Sequence, residues 1–102
     1  MLLKTIIKKI ESKYPLNLAY DWDNVGLLVG DFDMNVEKVL VVLEANEKVI
    51  DEAIENNIDL IITHHPFIFK KMNKINTMDL KGKLIHKLIK NDIALYSMHT
   101  NF

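Results

Sequence analysis

His64-His65-Pro66 is the sharpest chemical feature of the sequence, and it follows directly on an apolar run, Leu60-Ile61-Ile62-Thr63. Imidazole is a common ligand for zinc, iron and related ions. Adjacent residues on an extended chain point to opposite sides. The pair is therefore better suited to two neighbouring ions, or to one ion and its surroundings, than to chelating a single ion. Pro66 biases His65 towards an extended backbone, which helps fix where the imidazole projects. The chain has no cysteine, so thiolate sites and disulfides are excluded, and any metal must be held by His, Asp or Glu. The plainer reading is that a strand end is a natural place for half-exposed polar residues.

The elements that would carry this pair sharpen the case. Leu2, Leu3, Ile6, Ile7 and Ile10 recur at helical spacing, with Lys4, Lys8 and Glu11 opposite, and Pro15 should stop that helix near Lys13. Asp21-Trp22-Asp23-Asn24 reads as a turn-rich loop leading into Leu27-Leu28-Val29, bracketed by Gly26 and Gly30. Val39 to Leu43 is a continuous apolar run, as expected for a strand buried on both faces. Asn46 is placed to cap a helix carrying Val49, Ile50, Ala53 and Ile54 on one face, with Asn56-Asn57 at its end. A strand at Leu60 to Thr63 follows, then a loop over 66–79 with an apolar patch, Phe67-Ile68-Phe69. Thr77 or Asp79 would cap a third helix with Leu80, Leu84, Ile85, Leu88 and Ile89 inward and Lys81, Lys83, Lys87 and Lys90 outward. Ile93 to Ser97 is the last strand.

Alternation of strand and helix from residue 39 onward predicts an α/β fold with a mainly parallel sheet, helices packed on its faces and a short irregular edge strand near residues 26–30. In such a sheet the residues just past each strand share one edge, where ligands bind. Those residues are Glu44, His64-His65 and His99. Four side chains able to bind metal therefore fall on one rim, which predicts a divalent-metal site around His64 and His65. His86 lies among lysines within the third helix and reads as surface decoration.

Other features are weaker. Trp22 near a turn reads first as a core anchor with its N–H satisfied, and second as a pocket wall. Gly26 and Gly30 are spaced G-x-x-x-G without a following Lys-Ser/Thr, so they form no phosphate-binding P-loop. No Ser or Cys nucleophile with a paired base is visible.

Charge is unevenly spread: residues 1–58 carry 6 Lys against 11 acids, and residues 59–102 carry 7 Lys against 3 acids. Every basic residue is Lys, whereas phosphate and nucleic-acid sites usually use Arg forks as well. A solvated helix face is the better account of the basic half. No segment approaches the roughly 18–20 apolar residues that cross a bilayer, and the N-terminus shows no cleavable signal pattern. A cytoplasmic protein with no membrane partner is the expectation.

Three segments, Asp21-Trp22-Asp23-Asn24-Val25-Gly26-Leu27-Leu28-Val29-Gly30, Ile61-Ile62-Thr63-His64-His65-Pro66 and Met98-His99-Thr100-Asn101, resemble in this order the N-terminal signatures of the NIF-three-like family. Its members are widely named GTP cyclohydrolase 1 type 2 homologues. The resemblance covers the whole chain but only the first part of a typical member. Residues 1–102 thus read as a single α/β domain resembling the N-terminal part of a larger, two-part protein. The resemblance implies a cleft between two similar α/β parts holding two divalent metal ions, with Zn, Fe, Mn, Ni and Co all compatible, in a toroidal homohexamer. It assigns His64 and His65 as ligands to the two ions. His99 matches a family position near the metals and is implied to support them or to transfer a proton. An Asp following the His-Thr-Asn segment, and a His and a Glu much further on, complete the family's ligand set and fall outside these 102 residues. Glu44 stands where the family usually has Asp.

The function that follows is a two-metal hydrolase of a nucleotide or phosphoester in the complete protein, with this portion alone inactive. The alternative is a non-catalytic metal-binding or regulatory scaffold, touching nucleic acid through its lysines.

Overall fold

A computed structural model of the chain describes residues 1–101. Helix α1 (Leu3–Lys13) is followed by a single 3-10 turn and strand β1 (Gly26–Val29), then β2 (Val39–Val42), α2 (Glu47–Glu55), β3 (Leu60–Thr63), α3 (Leu80–Lys90) and β4 (Ala94–Ser97). The strands form one sheet in the order β1-β4-β3-β2. Pairs β2–β3 and β3–β4 are parallel, as their helical crossovers require, but β1 runs antiparallel to β4 at the edge. The sheet is therefore mixed, which corrects the expectation of a mainly parallel one. Only strands joined through α2 and α3 have their direction forced; the pattern Leu27-Leu28-Val29 carries no direction of its own. The register of β1 shifts between Leu27 and Val29, a bulge suited to an edge strand.

Strand alternation sends side chains to two cores. Ile61 and Leu95 meet Ile50 and Ala53 of α2 and Leu84, Ile85 and Leu88 of α3 on one face. Leu60, Ala94 and Tyr96 meet Leu3 and Ile7 of α1 on the other. A helix about 10 Å wide covers roughly two strands spaced about 4.8 Å apart, so α1 leaves β2 uncovered. Val39 and Val41 are exposed, Val41 at 71%, and the expected burial of β2 on both faces is corrected: only Leu40 and Val42 pack inward, and they are half-buried.

Asn46 caps α2 as its position predicts, its side chain accepting from Val49 N at 2.9 Å. Asn57, with φ of 55°, turns the chain out of that helix. In α3 the buried set is narrower than expected: Leu84, Ile85 and Leu88 are inside, whereas Leu80 and Ile89 are exposed. Lys81 also departs from its expected outward position, for reasons that belong to the site. Among the described residues no helix is long and apolar enough to cross a membrane.

Candidate metal centre

The parallel ladder ends at Thr63, and the chain bends at His64 and His65. His64 N and His65 N still donate to Val42 O and Leu43 O at 3.2 and 3.0 Å, and Met98 N donates to Thr63 O at 2.9 Å. These bonds hold the three strand ends in step at the carboxyl edge. Because the chain bends, strict strand alternation no longer separates the two imidazoles. The rings of His64 and His65 lie 5.6 Å apart, and His99 lies 5.3 Å from the first and 5.9 Å from the second. The edge thus brings all three histidines together. His86 is exposed on α3 and takes no part.

Two of the three rings are held by carboxylates. His65 Nδ1 lies 3.0 Å from Glu44 Oε1, and His99 Nδ1 lies 3.1 Å from Asp23 Oδ2. A carboxylate accepts from the Nδ1–H tautomer, which leaves Nε2 as the nitrogen able to take a ligand or a proton. Glu44 therefore touches His65 rather than standing apart on the rim, and its longer side chain reaches that far.

Asp23 is the site residue that strand-end reasoning missed. Its side chain is fully shielded from solvent, and it accepts hydrogen bonds from Thr100 N at 2.8 Å and Thr100 Oγ1 at 2.6 Å as well as facing His99. Burial works to raise its pKa, but the Thr100 bonds and His99 outweigh burial and hold the carboxyl below the ordinary aspartate range. Asp23 sits in a loop before β1, so no strand-end count could reach it; the signal was an acidic residue inside a turn-rich loop. Trp22 is likewise corrected: it is not a core anchor but an exposed ring packed edge-on to His99, with centroids 6.2 Å apart.

Beneath the histidines, Thr63 and Ser97 share a buried hydroxyl–hydroxyl bond of 2.7 Å, and Phe67 N donates to Ser97 Oγ. Lys81 crosses from α3 to donate to Phe67 O while its ammonium lies 3.9 Å from the Phe67 ring centroid. Burial lowers its pKa. This explains why Lys81 turns inward: it ties the segment after His65-Pro66 to α3.

The donors suit a divalent ion in kind, since two imidazoles already have their tautomers set by carboxylates. In number they fall short. Among the described residues no three His, Asp or Glu side chains are grouped closely enough to hold an ion, and stable sites use three or four protein ligands.

The family model described as Duf34/NIF3 (NGG1p interacting factor 3) matches residues 1–102. A "GTP cyclohydrolase 1 type 2 homolog" of Clostridium perfringens is 51% identical over 102 residues, covering 100% of this chain and 39% of the relative. One from Bacillus subtilis is 45% identical over 96 residues, covering 94% of this chain and 26% of the relative. Among solved structures, a Bacillus cereus protein related to NIF3 superposes with a TM-score of 0.90 at 44% identity, over 99% of this chain and 28% of that one. Reduced HcgD from Methanocaldococcus jannaschii gives 0.90 at 37% identity, over 99% of this chain and 40% of that one. The chain therefore spans well under half the length of the relatives it matches, and it belongs to the Duf34/NIF3 family.

Proposed function

We propose that this chain contributes His64 and His65 to a two-ion centre that hydrolyses a nucleotide or phosphoester in the longer protein, with the remaining ligands supplied from outside residues 1–102. The observation that supports this reading best is the convergence of three imidazoles within 6 Å of one another at the strand ends, two of them held by carboxylates. In this role His64 and His65 bind metal and Glu44 fixes the His65 tautomer. When bound, the ions would supply an activated water and offset charge on the substrate. His99, backed by Asp23, has the pairing expected of a group that takes or gives a proton.

Metal analysis of the full-length protein, purified without chelators, tests this directly. Wild type should carry about two ions per chain, His64→Ala and His65→Ala should each lose at least one, and only metal-loaded wild type should turn over a nucleotide or model phosphoester. Full-length protein that carries no metal would remove the reading, and metal without turnover would remove its hydrolytic half.

A further inference from the structure

The stretch from His64 to Asp79 joins β3 to α3 without a helix or strand of its own. Phe67 is its one buried residue, and the ring belongs to the core that holds Leu84, Ile85 and Leu88. Segments with little buried surface open easily, so the placement of His65 depends on how firmly Phe67, two positions on, is held. A buried ring alone leaves the peptide free to tilt about the side-chain bonds. Here both polar groups of the Phe67 backbone are engaged. Its N–H donates to Ser97 Oγ at 3.4 Å, and Ser97 is itself bonded to Thr63 Oγ1 at 2.7 Å. Its carbonyl accepts from Lys81 Nζ. One bond comes from the sheet and the other from α3, so the direction of the chain towards Pro66 and His65 is fixed from two sides.

Lys81 makes this bond under conditions that the neighbouring lysines avoid. Burial lowers its pKa, and among the described residues no carboxylate pairs with it. Lys83 and Lys87 on the same helix pair with Glu47, and Lys87 with Asp51 as well. Glu47 lines the same cavity as Lys81, yet the Lys81 ammonium lies over the Phe67 ring at 3.9 Å from its centroid and donates to the Phe67 carbonyl instead. A desolvated ammonium with only a neutral carbonyl and a ring face for company regains part of its lost hydration and no more, so folding stability is a poor account of this placement. His65 and Glu44 line that cavity too, which measures about 300 Å³. The clamp on Phe67 therefore stands beside the imidazole that Glu44 orients.

We infer that Lys81 is a positioning residue for the metal-binding His65, acting through the Phe67 carbonyl. The inference rests on the two-ion reading and adds to it a residue that touches neither ion nor substrate. Groups that orient a ligating imidazole change metal affinity by roughly 10- to 100-fold when removed. Lys81 acts on the backbone behind that imidazole, so the lower end of this range is expected.

Two variants of the full-length protein test this. Lys81→Met keeps an unbranched stem over the Phe67 ring but carries no donor, and Lys81→Arg restores one. In competition with a chromophoric chelator for zinc, Lys81→Met should hold one of its two ions about ten-fold more weakly, and Lys81→Arg should return to within about two-fold of wild type. Nitrogen NMR of the histidine rings in chelator-treated protein gives a readout without metal. His65 should occupy one tautomer in wild type and a mixture in Lys81→Met, while His99, held by Asp23, should be the same in both. A general loss of structure would disturb His99 as well. A folded Lys81→Met protein with both ion affinities unchanged overturns the inference, and so does one in which His99 changes as much as His65. A His65 tautomer that follows Lys81 in metal-free protein supports the positioning role even where wild type binds no ion and the two-ion reading falls.

Discussion

Asp23 and His99 are 76 positions apart in the chain, yet the carboxylate of one lies 3.1 Å from Nδ1 of the other. The loop before β1 and the turn after β4 become neighbours because β1 pairs with β4, Gly26 standing opposite Ser97. The antiparallel edge strand thus has a consequence for the site: it delivers the residue that orients His99.

Asp23→Asn retains the shape of the side chain but removes its charge, and with the amide oxygen kept on the two Thr100 donors its NH2 group faces the His99 Nδ1 proton. A loss of about 1–3 kcal/mol at neutral pH is expected for such a buried mismatch. Its pH dependence has a definite sign. The folded pKa of Asp23 is depressed, so its contribution is fully present above the unfolded value of about 3.9 and is lost as the pH falls through the folded value. Urea midpoints of wild type and variant should therefore differ at pH 7 and converge below about pH 4. A gap that stays constant into strong acid would show that Asp23 does not act through its charge.

Glu44→Ala should act differently, because Glu44 and His65 are 65% and 43% exposed and their pairing contributes little to folding. Its effect should appear in metal binding, where removing a carboxylate that orients a ligating imidazole costs roughly 10- to 100-fold in affinity. Competition against a chromophoric chelator on the full-length protein measures this. Unchanged affinity beside an unchanged urea midpoint would mean that Glu44 is surface decoration.

How far the site was legible follows from the kind of information each residue needs. His64, His65, Glu44 and His99 were placed on one rim from strand ends alone, because the crossovers through α2 and α3 fix the direction of β2, β3 and β4. Asp23 and Trp22 were not, because β1 lacks such a crossover and its neighbour could not be read from the three-residue apolar run Leu27-Leu28-Val29. Lys81 was misread because a helix face predicts which side a residue occupies, not whether a four-carbon stem folds back over Phe67. Val41 was misread because a run of apolar residues shows that a strand can be buried on both faces, not that a helix is present to cover each.

Gly82 offers a test in which two effects oppose each other. Gly82 is the third residue of α3, where replacing Gly with Ala should gain at most the roughly 1 kcal/mol that propensity gives in a helix interior. Here a Cβ would stand 2.0 Å from Asn76 O and 2.6 Å from Asn76 C, and backbone cannot yield as a flexible side chain can. Overpacking of this kind typically costs about 1–3 kcal/mol, so Gly82→Ala should lower the thermal midpoint instead of raising it. A stabilised variant would show that the segment before α3 yields to the added methyl group.

Tyr96 gives an alkaline counterpart to Asp23. Its ring is fully buried under α1, and its hydroxyl donates to Glu11 Oε2 at 2.8 Å. Burial, with the Glu11 hydrogen bond and charge added, pushes the phenol pKa far above its ordinary value. A group raised in the folded state contributes stability that is complete below the unfolded pKa, about 10, and is lost as the pH climbs above it. Wild type should therefore weaken steadily above about pH 10, whereas Tyr96→Phe, about 1 kcal/mol less stable at pH 7 for want of one hydrogen bond, should weaken less. The two urea midpoints should close on each other as the pH rises. Tyr14 and Tyr20 are more exposed than Tyr96 and remain in both proteins, so they cannot produce the difference between the curves. Parallel decline of wild type and variant through pH 11 would place the alkaline weakness elsewhere, and would mean that the Tyr96–Glu11 bond does not hold α1 to the sheet.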